Sequence, residues 1–258
     1  MGDSGAEVRI FVSYVHEDDD ERRALTNHLK DIPNATVWDD RAIPPGSEWD
    51  DDINRELDSA DIILLLISTD LFKSKFVEKT EIKRALERHD SGEAVVIPVL
   101  LKICIWQPRL GRLQALPSDE NLPEDKNWVT SDAWDGPNEA YAHVARGVMR
   151  EVERLMEKRD QQRQRQQEAE ETYRKKVTEM LADQVVSDIE RDTLDELREK
   201  LELTQEDADR IEKGELRPIE ERRENLGYYE KTLRREILEG YPFSDERRTS
   251  TGAGMTCC

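Results

Sequence analysis

The sequence predicts an α/β domain with a parallel sheet, followed by a polar, all-helical C-terminal part. In the first half, short apolar runs alternate with stretches of helical period, which is typical of βαβ units. After about Asn138 the apolar runs end. The whole chain is 36% hydrophobic and 38% charged, against about 45–50% and about 25% in typical globular proteins. A single compact core for all 258 residues is therefore excluded.

Short apolar runs are the predicted strands. They occupy residues 8–14, 35–38, 61–68 and 94–101, with a weak fifth run at 127–129. Continuous apolar runs of this length suit strands that helices cover on both faces. Helices are predicted between them at residues 18–31, 48–59 and 71–89. Right-handed crossovers would place the loops that carry chemistry at the carboxyl edge of the sheet.

The C-terminal part reads as helices joined by a solvated connector. An amphipathic helix over 141–156 leads into a stretch rich in Gln, Arg and Glu, and Pro218 is predicted to end one helix before a last helix over 220–239. Two apolar stripes define a small module: Val177, Met180 and Leu181, then Ile189, Leu194, Leu197 and Leu201. The predicted divisions are a domain over 1–157, a polar helical linker over 158–172, a helical module over 173–240 and a disordered tail over 241–258.

Net charge and cysteine content exclude several classes of protein. The chain has 39 basic and 59 acidic residues, a net charge of −20, which opposes binding to nucleic acid or to an anionic membrane. Its three cysteines fit no disulfide framework and no zinc site, so we expect a cytoplasmic protein without a metal. The ending Cys257-Cys258 leaves two alternatives open, a double prenylation signal or a frayed tail.

The loop after the first strand decides between phosphate-binding folds. It has no glycine, which excludes a dinucleotide-binding turn and a P-loop. A phospho-receiver would use paired acids, a further Asp and a Lys, and Asp18, Asp19, Asp70 and Lys102 are candidates. The paired acids, however, fall in the first turn of a helix, where the helix dipole alone favours them. The receiver is therefore the weaker interpretation.

A series of motifs along the chain indicates the fold family more specifically. They run in order from FVSYVHED at 11–18 and VWDDRAIPPGSEW at 37–49, through AD at 60–61 and SKF at 74–76, to EIKRAL at 81–86 and VIPV at 96–99, followed by Trp106 and LQALP at 113–117. Together they resemble a bacterial-type TIR domain over about residues 7–156. The resemblance implies a flavodoxin-like, five-stranded parallel sheet. The C-terminal module resembles, more weakly, the helical effector-associated modules that accompany such domains.

TIR domains either assemble signalling complexes or cleave NAD+ at the nicotinamide–ribose bond. The pyridinium leaves as neutral nicotinamide, so the reaction needs no general acid, unlike cleavage of an O-glycoside. One carboxylate can suffice if it stabilises an oxocarbenium-like transition state. The resemblance places this carboxylate at Glu81. The alternative for Glu81 is an ordinary mixed-charge helix surface shared with Glu78, Lys79 and Lys83.

The resemblance also implies a substrate pocket and an assembly loop. The pocket candidates are Ser13, Tyr14, Trp38, Asp39, Arg41 and Phe76. Trp38 has core packing as its alternative role, and Arg41 has a surface ion pair. Many catalytic relatives carry Cys or Trp four residues before the glutamate, where this chain has Val77. The loop over 39–49 has a stiff apolar tip for packing on a neighbouring subunit, made of Ile43, Pro44, Pro45 and Gly46.

These observations predict a TIR-domain NAD+ nucleosidase that self-association activates, acting in bacterial defence or signalling. NAD+ is expected as the substrate, with no cofactor, and the C-terminal module is expected to promote assembly or bind a protein partner. Two alternatives remain: a scaffold that acts only through TIR–TIR assembly, and an effector that disrupts the TIR signalling of a host. The product, linear or cyclic ADP-ribose, stays open.

Overall fold

The chain falls into two compact units, Met1–Asp160 and Gln161–Cys258. The structure, a computed structural model, describes residues 7–38, 49–73, 82–118, 122–181 and 187–238. The first unit holds the sheet, and the second is helical. Each unit has its own buried apolar core.

The first unit is built on a four-stranded parallel sheet. Its strands are β1 (Val8–Ser13), β2 (Ala35–Val37), β3 (Ile62–Ile67) and β4 (Val95–Leu100), in the order β2-β1-β3-β4. Strand β3 is central, and all six of its residues are buried. Its side chains alternate between two cores, one on each face of the sheet. The unbroken apolar run is thus explained, and the predicted parallel α/β class is confirmed.

Helices cover both faces of this sheet. They are α1 (Asp19–Leu29), α2 (Trp49–Ser59), α3 (Thr69–Lys73), α4 (Ile82–Ser91) and α5 (Gln107–Leu110). On one face, Leu25 of α1 packs with Val144 and Val148 from the start of a long later helix. On the other face, Leu57 of α2 packs with Ala85 of α4. The predicted helix over 71–89 is represented by α3 and α4, and residues 74–81 between them lie outside the described residues.

The predicted fifth strand at residues 127–129 is absent from the described residues. This segment follows a 3₁₀ turn at Glu124–Lys126, and Val129 donates one backbone hydrogen bond to Leu100 at 2.8 Å. Leu116 occupies the same outer edge of β4, donating to the Pro98 carbonyl at 2.8 Å. Proline has no N–H, so Pro98 removes a donor that a fifth strand would require. The edge of β4 is therefore covered by two short segments, at Leu116 and at Val129, and not by a regular strand.

In the described part of the second unit, three helices pack around a small core. They are the C-terminal part of α6 (Pro137–Met180), α7 (Asp188–Lys200) and α8 (Gln205–Leu238). The residues predicted as a polar linker are helical, since they form part of α6. The core side chains include Tyr173, Val177, Leu181, Leu194 and Ile211. None of the helices in the described part of the chain has both the length and the apolar composition needed to cross a membrane.

Local signals set the starts of two of these helices. Ser187 and Glu190 form a reciprocal capping box at the start of α7. Thr204 accepts a hydrogen bond from the Asp207 backbone N–H at 3.1 Å, just before the first residue of α8.

Two sequence predictions for the second unit are wrong. Pro218 does not end a helix but lies inside α8. Leu216 and Ile219, on either side of it, pack against the core and stabilise the helix through the position where proline removes a hydrogen bond. Ile189 is 79% exposed and does not belong to the buried stripe that contains Leu194.

Candidate active site

The strand order indicates the edge of the sheet at which a ligand is expected to bind. In open parallel sheets, ligands bind beyond the carboxyl ends of the strands, where the chain order reverses. Here β2 lies on one side of β1 and β3 on the other, so the reversal falls between β1 and β3. The residues that follow these strands are therefore the first to consider.

Ser13 and Tyr14, the first two pocket candidates, lie at this reversal. Ser13 is the last residue of β1 and is buried, while the ring of Tyr14 is half-buried. The Arg22 guanidinium of α1 lies 5.0 Å from the centroid of the Tyr14 ring, a cation–π contact. Asp19 accepts hydrogen bonds from Arg22, and these hold the pKa of Asp19 below its usual range. The aromatic side chain at the end of β1 is thus held from one side by α1.

Trp38 follows β2, and its ring is packed on one side and accessible on another. Its ring stacks on Phe11 with centroids 5.4 Å apart and an angle of 18° between the planes. The ring is half-buried against the core that lies under α2 and α4. The packing role considered from the sequence is therefore real, but it leaves part of the indole accessible at the carboxyl edge.

A buried charge network lies at the same edge. The Asp18 carboxylate is fully buried and accepts hydrogen bonds from the Ser68 hydroxyl at 2.5 Å and the Lys102 ammonium at 2.7 Å. Lys102 also contacts Glu21 at 3.2 Å. The bond to Asp18 is the main cause that raises the pKa of Lys102, and burial opposes it. The network joins the loops after β1, β3 and β4.

Sequence reasoning did not find this network as a unit. In the sequence, Asp18 and Lys102 suggest only a phospho-receiver, and Ser68 only marks the end of a predicted strand. The usable signal was that all three follow different parallel strands, whose carboxyl ends meet at one edge. The receiver arrangement does not form, because Asp18 is inaccessible and Asp70 pairs instead with Lys73 at 2.9 Å.

The remaining predicted site residues lie outside the described residues. They are Glu81, Phe76, Asp39 and Arg41, together with the assembly-loop residues Ile43, Pro44, Pro45 and Gly46. The residue after Glu81 is described. Ile82 begins α4 and is buried in the core that also contains Phe11 and Leu57. Farther along α4, Arg84 donates a hydrogen bond to Asp58 of α2 at 2.6 Å and fixes the helix there.

A cavity of about 450 Å³ lies beyond the carboxyl end of β4. Trp106, Trp128, Gln114 and Cys104 line it, and Lys102 of the charge network contributes to its wall. Burial raises the pKa of the Cys104 thiol, so the thiol is protonated at neutral pH. The sequence had singled out Trp106 only as part of a motif.

Comparison with known proteins decides the family. The TIR domain model matches residues 10–145, which is more than half of the chain. The chain belongs to the TIR domain family. The matched residues include most of β1, all of β2 to β4, the Asp18 network and Glu81. TIR domains generally self-associate.

A bacterial relative is similar over the TIR domain. The chain is 36% identical over 143 residues to the uncharacterized protein y4lF of Sinorhizobium fredii (strain NBRC 101917 / NGR234). The alignment covers 54% of this chain and 42% of the relative, so the chain spans less than half of that protein's length. The relative is thus consistent with a bacterial TIR protein and names no activity.

Proposed function

We propose that the chain is a TIR-domain NAD+ nucleosidase whose activity depends on self-association. The observation that carries the proposal is Glu81 in the EIKRAL motif of a chain that belongs to the TIR family. The buried start of α4 at Ile82 supports it, since Ile82 belongs to the core that contains Phe11 of β1 and against which Trp38 packs.

The chemistry suits one carboxylate. The bond between ribose C1′ and the nicotinamide nitrogen breaks, and its electron pair neutralises the pyridinium, so no proton is needed for departure. Water then adds to C1′ and loses a proton, giving ADP-ribose. The Glu81 carboxylate would hydrogen-bond the ribose and stabilise positive charge at C1′ in the transition state. If a nucleophile within ADP-ribose replaces water, the product is cyclic.

The other candidates would bind the rest of the substrate. Tyr14 and Trp38 present aromatic faces after β1 and β2, and aromatic rings pack well against a nucleoside. Ser13 and Asp39 would supply hydrogen bonds, Phe76 a ring contact, and Arg41 a bidentate partner for the pyrophosphate. Because NAD+ is anionic and the chain carries a charge of −20, such a local donor is needed to offset the overall field.

Self-association would complete the site through the loop around Pro44 and Pro45. We place Ile43, Pro44, Pro45 and Gly46 against a neighbouring TIR domain, which removes an apolar tip from water. This dependence on assembly would suit a cytoplasmic protein of bacterial defence or signalling. The chain would cleave NAD+ only after a signal raises its local concentration.

Nicotinamide release by the purified full chain tests the proposal. At high protein concentration with NAD+, we expect nicotinamide and ADP-ribose by chromatography, and Glu81→Ala should lower the rate at least a hundredfold. Glu78→Ala is the matched control, because it removes a neighbouring carboxylate and should retain activity. Both variants should keep the wild-type circular dichroism spectrum. Equal turnover by wild type and Glu81→Ala would disprove the assignment of Glu81 as the catalytic carboxylate.

The competing proposal is a scaffold without enzyme activity. Val77 favours it, because many catalytic relatives carry Cys or Trp at this place. A chain that forms assemblies without consuming NAD+, in an assay where an active TIR protein releases nicotinamide, would select the scaffold. Val77→Trp separates a weakened enzyme from a scaffold, since only an enzyme should gain turnover.

A further inference from the structure

The C-terminal half of α8 carries a row of exposed apolar side chains. Leu226, Tyr229, Leu233 and Ile237 are spaced three or four residues apart, so they lie on one face of the helix. They are between 60% and 72% exposed. The first half of the same helix is different, since Ala208 and Ile211 are buried in the core of the second unit. We call the four exposed side chains the α8 stripe.

We propose that the α8 stripe is a self-association surface on which α8 of a second copy packs in the antiparallel direction. The inference goes beyond the proposed function and does not require that NAD+ be cleaved. Residues 219–238 span about 30 Å of helix at 1.5 Å per residue. This length includes the whole α8 stripe and the charged side chains that border it.

Charge is the first reason to assign a second copy as the occupant. Residues 219–238 contain five acidic and five basic side chains, so this segment is neutral in a chain of net charge −20. Elsewhere, like charge opposes contact between two copies, and here that opposition is absent. A stripe suited to a strongly basic or acidic partner would instead be bordered by one sign of charge.

The arrangement of these charges favours the antiparallel direction. The first part of the segment is richer in acid, with Glu220, Glu221 and Glu224, and the last part is richer in base, with Lys231, Arg234 and Arg235. An antiparallel pair brings each acid-rich part beside the base-rich part of the other copy, whereas a parallel pair aligns like with like. Antiparallel packing also sets the two helix dipoles in opposite directions, which is electrostatically favourable.

One antiparallel register brings stripe residues of the two copies together and also pairs the opposite charges beside them. When Leu226 faces Tyr229 of the second copy, the two-fold axis passes between Gly227 and Tyr228, and the same contact is repeated by symmetry. Arg223 and Glu230 are seven residues apart and border the stripe on one side. In this register each Arg223 lies within one turn of Glu230 of the second copy. Glu230 pairs with Arg234 within the chain at 2.7 Å, an exposed contact that is easily exchanged.

The first experiment measures association of the full chain by analytical ultracentrifugation between about 1 and 100 µM, the range of weak to moderate self-association. Leu226→Asp should weaken association at least tenfold. Ile189→Asp is the matched control, since it adds the same charge at an exposed isoleucine on α7. A monomeric wild type over the whole range, or a Leu226→Asp variant that associates like wild type, would overturn the proposal.

Charge exchange and cross-linking test the direction. Arg223→Glu and Glu230→Arg should each weaken association, and the double variant should recover it. In a background with the three native cysteines changed to Ser, a mixture of Leu226→Cys and Tyr229→Cys chains should form the 226–229 disulfide. Predominant 226–226 disulfides would disprove the antiparallel register. A lower thermal midpoint of the Asp variant without weaker association would show that the same chain covers the stripe, and would also overturn the proposal.

Discussion

At the scale of single residues, Asp18 is the side chain that most strongly connects the carboxyl edge of the sheet. Its carboxylate is fully buried and is bound by groups that follow β3 and β4, while Asp18 itself follows β1. A buried carboxylate is tolerated only when it is paired and hydrogen-bonded. The network therefore fixes the loop that follows the candidate pocket residue Ser13 and begins with Tyr14.

Removal of this carboxylate should destabilise the TIR domain. In Asp18→Ala, the Lys102 ammonium and the Ser68 hydroxyl lose their shared partner, and the free energy of unfolding should fall by about 2–4 kcal/mol. Urea unfolding followed by circular dichroism measures the change. Asp70→Ala is the control, because the Asp70–Lys73 pair is exposed and its loss should leave the urea midpoint unchanged. Equal effects of the two substitutions would contradict a structural role for the buried network.

At the scale of elements, α8 is a helix whose two halves depend on different interactions. Its first half is stabilised by packing in the core of the second unit, whereas its second half exposes the α8 stripe. Pro218 lies between these halves and has no N–H to donate to the Gly214 carbonyl four residues earlier. The continuity of the helix at this position therefore relies on Leu216 and Ile219, which contact the core.

Replacement of this proline should strengthen the helix. Pro218→Ala restores one backbone hydrogen bond and removes the clash of the ring with the preceding turn, so we expect the free energy of unfolding to rise by about 1–3 kcal/mol. Thermal unfolding of the full chain measures this change, with helical content read at 222 nm. Arg217→Ala, an exposed neighbour, serves as the comparison. A Pro218→Ala chain that unfolds at lower temperature would mean that the local proline geometry is itself stabilising.

At the scale of the whole molecule, the net charge of −20 opposes both self-association and the binding of the anionic substrate NAD+. Two copies repel each other over the screening length, which is about 30 Å at 0.01 M salt and about 8 Å at 0.15 M. Assembly then depends on surfaces where the repulsion is weak or absent, such as the neutral segment of α8. The proposed requirement for self-association makes the same charge a restraint on catalysis at low concentration.

Salt and concentration should therefore control the proposed activity. With saturating NAD+, the rate of nicotinamide release per chain should rise with chain concentration, and at a fixed concentration it should rise when salt increases from about 0.01 to about 0.15 M. Sedimentation in the same solutions relates the rate to the assembled fraction. A constant rate per chain over both series, from an enzyme that turns over, would show that the single chain is sufficient.

The elements and the family of this chain could be predicted from patterns along its sequence. Short continuous apolar runs identified β1 to β4, and apolar residues of helical period identified the principal helices, because burial on two faces or on one determines those patterns directly. The motif order also identified the TIR family, which the family match over residues 10–145 confirms. The catalytic assignment of Glu81 remains a prediction.

Contacts between distant residues were decided only by the tertiary structure. The missing fifth strand depends on Pro98 and Leu116 at the edge of β4, and the path of α8 through Pro218 depends on packing on both sides of it. The Asp18–Ser68–Lys102 network joins residues up to 84 positions apart. Such pairings leave no periodic trace in the sequence, because they depend on which strand ends the fold brings together. The sequence by itself thus determined the class, the family and the candidate carboxylate, and the tertiary structure decided which charges are buried and which apolar face is exposed.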